Sequence, residues 1–181
     1  AMVMLDPYFR NGPDVEYRAA DRNADAFALD HPADLLRSYG LNYDGMLIVG
    51  DKSRAYPVQE KNLGFTTYPF WLALTADNVN TSLPFTSYVS RLLFGESGFL
   101  TPDKLKPGLS YESILTSSPQ TQVVGRAMFD TLAPQTLGLQ LKDKPQPRQL
   151  AGMLHGKFTS MFNEMPKEVK QYYDDYAQGG T

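Results

Sequence analysis

The sequence predicts a mainly α domain: a compact, irregular packing of short helices that carries one small β-hairpin. Three observations predict it. Apolar residues recur at helical spacing over residues 150–176. The same spacing appears at Phe85, Tyr88, Val89, Leu92 and Leu93. Proline and glycine punctuate the chain where short helices start and stop. An α+β domain with further strands over residues 65–81 is the alternative reading.

Residues 1–22 are polar and turn-rich, with Asp6-Pro7 and Asn11-Gly12-Pro13, and read as an extended N-terminal arm. Residues 23–181 read as one domain. A short helix is expected over 23–29. The next is bracketed by Asp30 as cap, Pro32 in the first turn and Gly40 as left-handed stop, with Leu35, Leu36 and Tyr39 inward. Gly45-Met46-Leu47-Ile48-Val49 and Arg54-Ala55-Tyr56-Pro57-Val58 are apolar runs joined by a short polar loop. They predict a hairpin near 44–59, Pro57 marking an edge.

Phe65, Tyr68, Phe70, Trp71, Leu72 and Leu74 fit strand and helix templates equally, and Pro69 would open a helix ending near Asp77. They are core either way. Phe85 to Leu93 form one helical face that Gly95 stops. Thr101-Pro102 opens a short helix that Pro107-Gly108 ends, and Ser110 with Glu112 caps another turn. Ser118-Pro119 opens a helix bearing Val123, Val124, Ala127, Met128 and Leu132, ending near Pro134. Residues 135–147 read as a connection. Leu150, Met153, Leu154, Phe158, Met161, Phe162 and Met165 make the longest stripe. Pro166 then starts a last helix with Val169, Tyr172, Tyr173 and Tyr176.

With 181 residues, 42% of them hydrophobic, the chain can bury a core of ordinary size and reads as soluble and single-domain. A formal net charge of −3 with scattered Lys and Arg disfavours a nucleic-acid partner. The absence of cysteine removes disulfides, thiolate nucleophiles and cysteine metal sites. The longest apolar run, near residues 70–76, is far shorter than the roughly 20 residues of a membrane-spanning helix. Ala1 before Met2 reads as the remnant of a removed tag, so a leader or anchor upstream stays open.

Candidate chemistry is sparse. His31 and His155 lie apart and share no metal-ligand spacing, so no metal or cofactor is expected. Asp174 and Asp175 read as the solvated face of the last helix. Asn80-Thr81-Ser82 fits a glycosylation triplet in a loop. Gly95-Glu96-Ser97-Gly98-Phe99 departs from a nucleophile elbow at Phe99. A Glu-Ser pair directly after an apolar helix instead resembles the catalytic motif of lytic transglycosylases and related lysozymes. That resemblance is confined to the stretch around Glu96, and the family's downstream Gly-Leu-Met-Gln type segment has no counterpart here. It implies Glu96 as a general acid protonating a glycosidic oxygen, its pKa raised by a half-buried position.

The leading functional expectation is a non-catalytic protein–protein interaction or structural subunit of a larger bacterial or viral assembly. It binds another protein or itself, with Tyr172, Tyr173 and Tyr176 as interface candidates. A glycan-cleaving enzyme using Glu96 and a carrier of small apolar ligands are the alternatives.

Overall fold

The computed structural model describes residues 32–160, except 61–63 and 133, together with 167, 170 and 174. The chain is built mainly from antiparallel strands, which corrects the mainly α expectation. Helix α1 spans Pro32–Ser38. Nine strands follow: β1 Leu41–Tyr43, β2 Leu47–Gly50, β3 Ala55–Glu60, β4 Gly64–Thr75, β5 Arg91–Gly95, β6 Leu100–Pro102, β7 Leu109–Thr116, β8 Gln122–Gly125 and β9 Gln149–Gly156. A further α-helical turn, α2, covers Pro134–Leu137, and three short 3-10 turns lie between strands among the described residues. The strands form three sheets, ordered β1-β6-β9-β7, β2-β8 and β3-β4-β5.

The first helix follows its sequence signals. Gly40 takes φ +86°, the left-handed stop that a side chain resists, and its Cα packs directly against the backbone of Lys104 and Leu105. Tyr39 is half-buried. Its ring meets Phe158 edge-on at 5.3 Å and carries the Lys106 ammonium 5.0 Å from its centre.

The expected hairpin is corrected at the level of pairing. Both of its apolar runs are extended, but they do not pair with each other. β2 pairs with β8, Ile48 opposite Val124, while β3 pairs with β4. The ambiguous stretch resolves as the twelve-residue strand β4. Phe70, Leu72 and Leu74 alternate into the core, and Trp71 and Ala73 turn outward to half-exposed positions. Pro69 opens no helix. It sits where the β3–β4 register jumps between Ala55 and Tyr56, a bulge that has no use for its missing N–H. Pro57 lies on edge strand β3, as its type requires.

Two clusters make the core. Ile48, Tyr68, Phe70, Val124, Phe129, Leu137 and Leu141 form one. Val49, Leu72, Leu74, Val79, Phe99, Leu115 and Leu150 form the other. β2 feeds both from its two faces, Ile48 into the first and Val49 into the second, whereas β4 feeds them from successive positions along one face, Tyr68 and Phe70 and then Leu72 and Leu74. The tyrosine Tyr68 stacks edge-on against Phe70 at 5.4 Å, and Phe70 against Phe129 at 4.9 Å.

The remaining helical expectations resolve as strands and turns. Phe85 and Tyr88 stand on a turn and Arg91–Gly95 is strand β5. Thr101-Pro102 ends β6, and Ser110 and Glu112 lie in β7. Val123 and Val124 lie in β8, with a 3-10 turn over Arg126–Asp130 after it. Leu150, Met153 and Leu154 belong to β9, which is bonded on one side to β7 and on the other to β6. Within the strands, apolar residues three or four apart sit in runs that a neighbouring strand completes, and cross-strand packing overrides local periodicity. The arm over 1–22 and the helix over 23–29 lie outside the described residues, as do Tyr172, Tyr173 and Tyr176; of the expected last helix only Lys167, Lys170 and Asp174 are described, and they are helical. Among the described residues no helix is long and apolar enough to cross a membrane.

Candidate functional site

Three features stand out, and the first is the sequence-predicted Glu96. β5 ends at Gly95, and Glu96 takes φ +45°, the one non-glycine residue with positive φ among the described residues. Its N–H donates to the Phe70 carbonyl at 2.7 Å, and one residue later the Ser97 carbonyl accepts from Val49 at 2.8 Å. The segment therefore leaves β4 and bonds to the edge of β2 within two residues. Only a left-handed residue makes that corner, and its cost is about 1–3 kcal/mol. Glu96 itself is buried, and its carboxyl oxygen Oε1 accepts from the Tyr68 hydroxyl at 3.0 Å. Gly98 follows with its Cα against the Tyr43 ring, where no Cβ fits. The helix on which the lytic-transglycosylase resemblance depends is a strand here, and the stretch forms a corner between two sheets.

The second feature is a buried polar seam that the sequence reading did not single out. Asp51, fully buried at the end of β2, accepts on Oδ1 from the Ser53 amide at 2.8 Å, the Ser53 hydroxyl at 2.6 Å and the Arg54 amide at 3.2 Å. Its Oδ2 accepts from the Thr121 hydroxyl at 3.0 Å. The Ser53 and Ser118 hydroxyls lie 3.0 Å apart. Burial alone would raise the pKa of Asp51, but hydrogen bonds from Ser118, Ser53 and Thr121 outweigh it and hold the carboxyl below its ordinary 3.8. The seam continues outward. Ser117 Oγ accepts from the Arg148 amide at 2.8 Å, Arg148 lies over the Phe99 ring at 4.5 Å, and Asp143 accepts from the Val123 amide at 2.9 Å. These groups tie the β2–β3 turn to the β7–β8 connection and to residues 141–148. Asp51-Lys52-Ser53 was legible in the sequence only as a turn. Its partners lie 65 and 70 residues away, beyond any local signal.

The third feature is a rigid turn with exposed aromatic rings. Asn80 anchors it to β7: its amide donates to Ile114 at 2.9 Å, and its side-chain Nδ2 donates to the Ser113 carbonyl at 3.1 Å and to Glu112 at 3.3 Å. Leu83 and Thr86 are buried, and the Thr86 hydroxyl donates to the Asn80 and Leu83 carbonyls. That arrangement turns Phe85 and Tyr88 outward, 59% and 96% exposed. This corrects the expected helical face over Phe85 to Leu93. The hydroxyl-rich context of Thr81, Ser82, Thr86, Ser87 and Ser90 was the available signal for a turn.

The other candidates are dispersed. His155 is exposed on β9 and Asp174 is exposed, while His31, Asp175, Tyr172, Tyr173 and Tyr176 lie outside the described residues. Among the described residues no group of three or more His, Asp or Glu could hold a metal.

Fold and sites together define an antiparallel β domain cross-linked by buried polar contacts and presenting aromatic side chains on a fixed turn. The chain belongs to the family described as "ABC-type uncharacterized transport system", whose model matches residues 1–180. That membership corrects the expected structural assembly subunit: the family is one of transport. No curated protein and no solved structure matches the chain.

Proposed function

We propose that the chain is a non-catalytic, protein-binding auxiliary component of an ABC-type transport system. Family membership supports the transport setting. The observation that carries the binding role is the Asn80-anchored turn, which holds Phe85 and Tyr88 in solvent on a backbone already fixed by β7. Large aromatic side chains with little conformational freedom are suited to protein contact, because they bury much surface at low entropic cost. A solvent-exposed tyrosine ring otherwise gains nothing from such rigid mounting.

The test is co-purification from cells of the source organism. Tagged wild-type chain retains a membrane-embedded or ATP-hydrolysing subunit of an ABC-type system. The F85S/Y88S double variant, equally folded by circular dichroism, retains at least tenfold less, the scale of one or two interface anchors. Wild-type chain that retains no transport subunit, or a double variant that retains as much, overturns the reading.

A further inference from the structure

Several sheet edges of this fold are closed. β7 is met by a bridge from Val79 to Leu115 and by the Asn80 amide at Ile114. β8 receives the Asp143 carboxylate at Val123, and the Gln146 amide donates to Thr121 beside it. β3 carries Pro57, one of the usual devices that blunt an edge, and its register breaks opposite a bulge in β4. β5 has neither. Arg91–Gly95 contains no proline, its register against β4 runs without interruption, and among the described residues it pairs with β4 alone.

The direction of its free groups follows from its neighbours. The Glu96 N–H donates to Phe70, one step beyond the Gly95–Trp71 pair, and the Ala73 N–H points the other way, to Arg54. In an antiparallel ladder bonded and non-bonded pairs alternate. Leu92 and Phe94 therefore bond to β4, while Arg91, Leu93 and Gly95 direct their N–H and C=O groups to the outer edge. Leu93 also presents a half-exposed side chain on the outer face, opposite Ala73 and beside the Trp71 position.

We propose that this edge is the interface between two copies of the chain, β5 pairing antiparallel with β5 about a two-fold axis at Leu93. The strand is self-complementary in that register. Leu93 meets Leu93, Leu92 meets Phe94, and Arg91, its one charge, meets Gly95, which has no side chain to crowd it. Each of the three outward-pointing pairs exchanges two backbone hydrogen bonds. Centring the axis on Arg91 would set like charges opposite one another, and only the Leu93 register pairs all five residues. The result is a continuous six-stranded sheet with both Leu93 side chains side by side on one face, an isologous contact that closes on itself. This interface uses backbone and side chains other than Phe85 and Tyr88, and it stands or falls in purified protein without any transport subunit.

The experiment is sedimentation velocity or light scattering on the full chain over a range of concentrations, with four samples. Wild-type protein forms a dimer that dissociates on dilution. L93K alone and L93E alone keep the wild-type circular dichroism spectrum but dimerise about tenfold or more weakly, because like charges then face each other across the axis. Mixing L93K with L93E restores the dimer. L93P leaves β4–β5 pairing intact, since the N–H it removes points outward, and is monomeric. A wild-type chain that stays monomeric overturns the proposal. So do single variants that remain dimeric, or a mixture that fails to recover.

Discussion

Removing the Asp51 carboxylate tests whether the buried seam holds the sheets together. In Asp51→Ala the amides of Ser53 and Arg54 and the hydroxyls of Ser53 and Thr121 lose a common acceptor at 2.6–3.2 Å. A hydrogen bond to a charged acceptor contributes about 1.5–3 kcal/mol, and donors in one network are not independent, so the expected loss is about 3–5 kcal/mol. Asp51→Asn retains one carbonyl oxygen for the Ser53 and Arg54 donors. The Thr121 hydroxyl can rotate to accept from the new amide, which limits the loss to about 1–2 kcal/mol. Urea unfolding followed by circular dichroism measures both.

The pH dependence adds a second signature. The folded carboxyl titrates below its ordinary 3.8, so the folded state binds that proton less readily than the unfolded chain. Its contribution is complete above the ordinary value and is lost as the pH falls from there through the lower folded value. The stability gap between wild type and Asp51→Asn is therefore constant near neutrality and narrows below about pH 4. A gap that is unchanged at about pH 3, or an alanine variant that loses less than about 1 kcal/mol, would refute this account of the seam.

The elbow and the central strand give two further outcomes. Because Glu96 sits at φ +45°, Glu96→Gly relieves backbone strain that Glu96→Ala retains, while both lose the Tyr68 contact. Glycine is then the more stable of the two by about 1 kcal/mol in thermal or urea unfolding, against the usual order, and equal stabilities would contradict the left-handed corner. Gly152 lies against the Tyr111 ring, whose hydroxyl donates to Gln149 at 3.2 Å. Gly152→Ala forces that ring aside at a cost of about 1–3 kcal/mol, and a variant as stable as wild type would mean β9 and β7 are not in the register Glu112↔Met153.

Read alone, the sequence determined what depends on one residue and its immediate neighbours. The helix after His31 with its stop at Gly40, the extended character of both runs near 44–59 and the edge position of Pro57 were all legible, because proline and glycine act through their own φ. The core membership of Phe70, Leu72 and Leu74 was legible too, since burial of such side chains is favourable in either backbone state. Partner choice was not. Leu47–Gly50 pairs with Gln122–Gly125 across some seventy residues, and nothing in the polar loop after Gly50 announces it.

The helical stripes misled because apolar residues at i, i+3 and i+4 also occur in short strands half-buried on both faces, as over residues 149–154 of β9. Gly152 and Gly156 stood against a helix there, each costing about 1 kcal/mol in a helical interior. A sequence motif singled out Glu96 at the end of an expected helix, whereas its burial and backbone conformation come from strands β2, β4 and β5 meeting. Asp51, Ser118 and Thr121 became a set only once tertiary contacts closed the distance between them. Local rules act through torsions within a few residues, whereas sheet pairing and buried polar networks draw their free energy from contacts that exist only after the chain has collapsed.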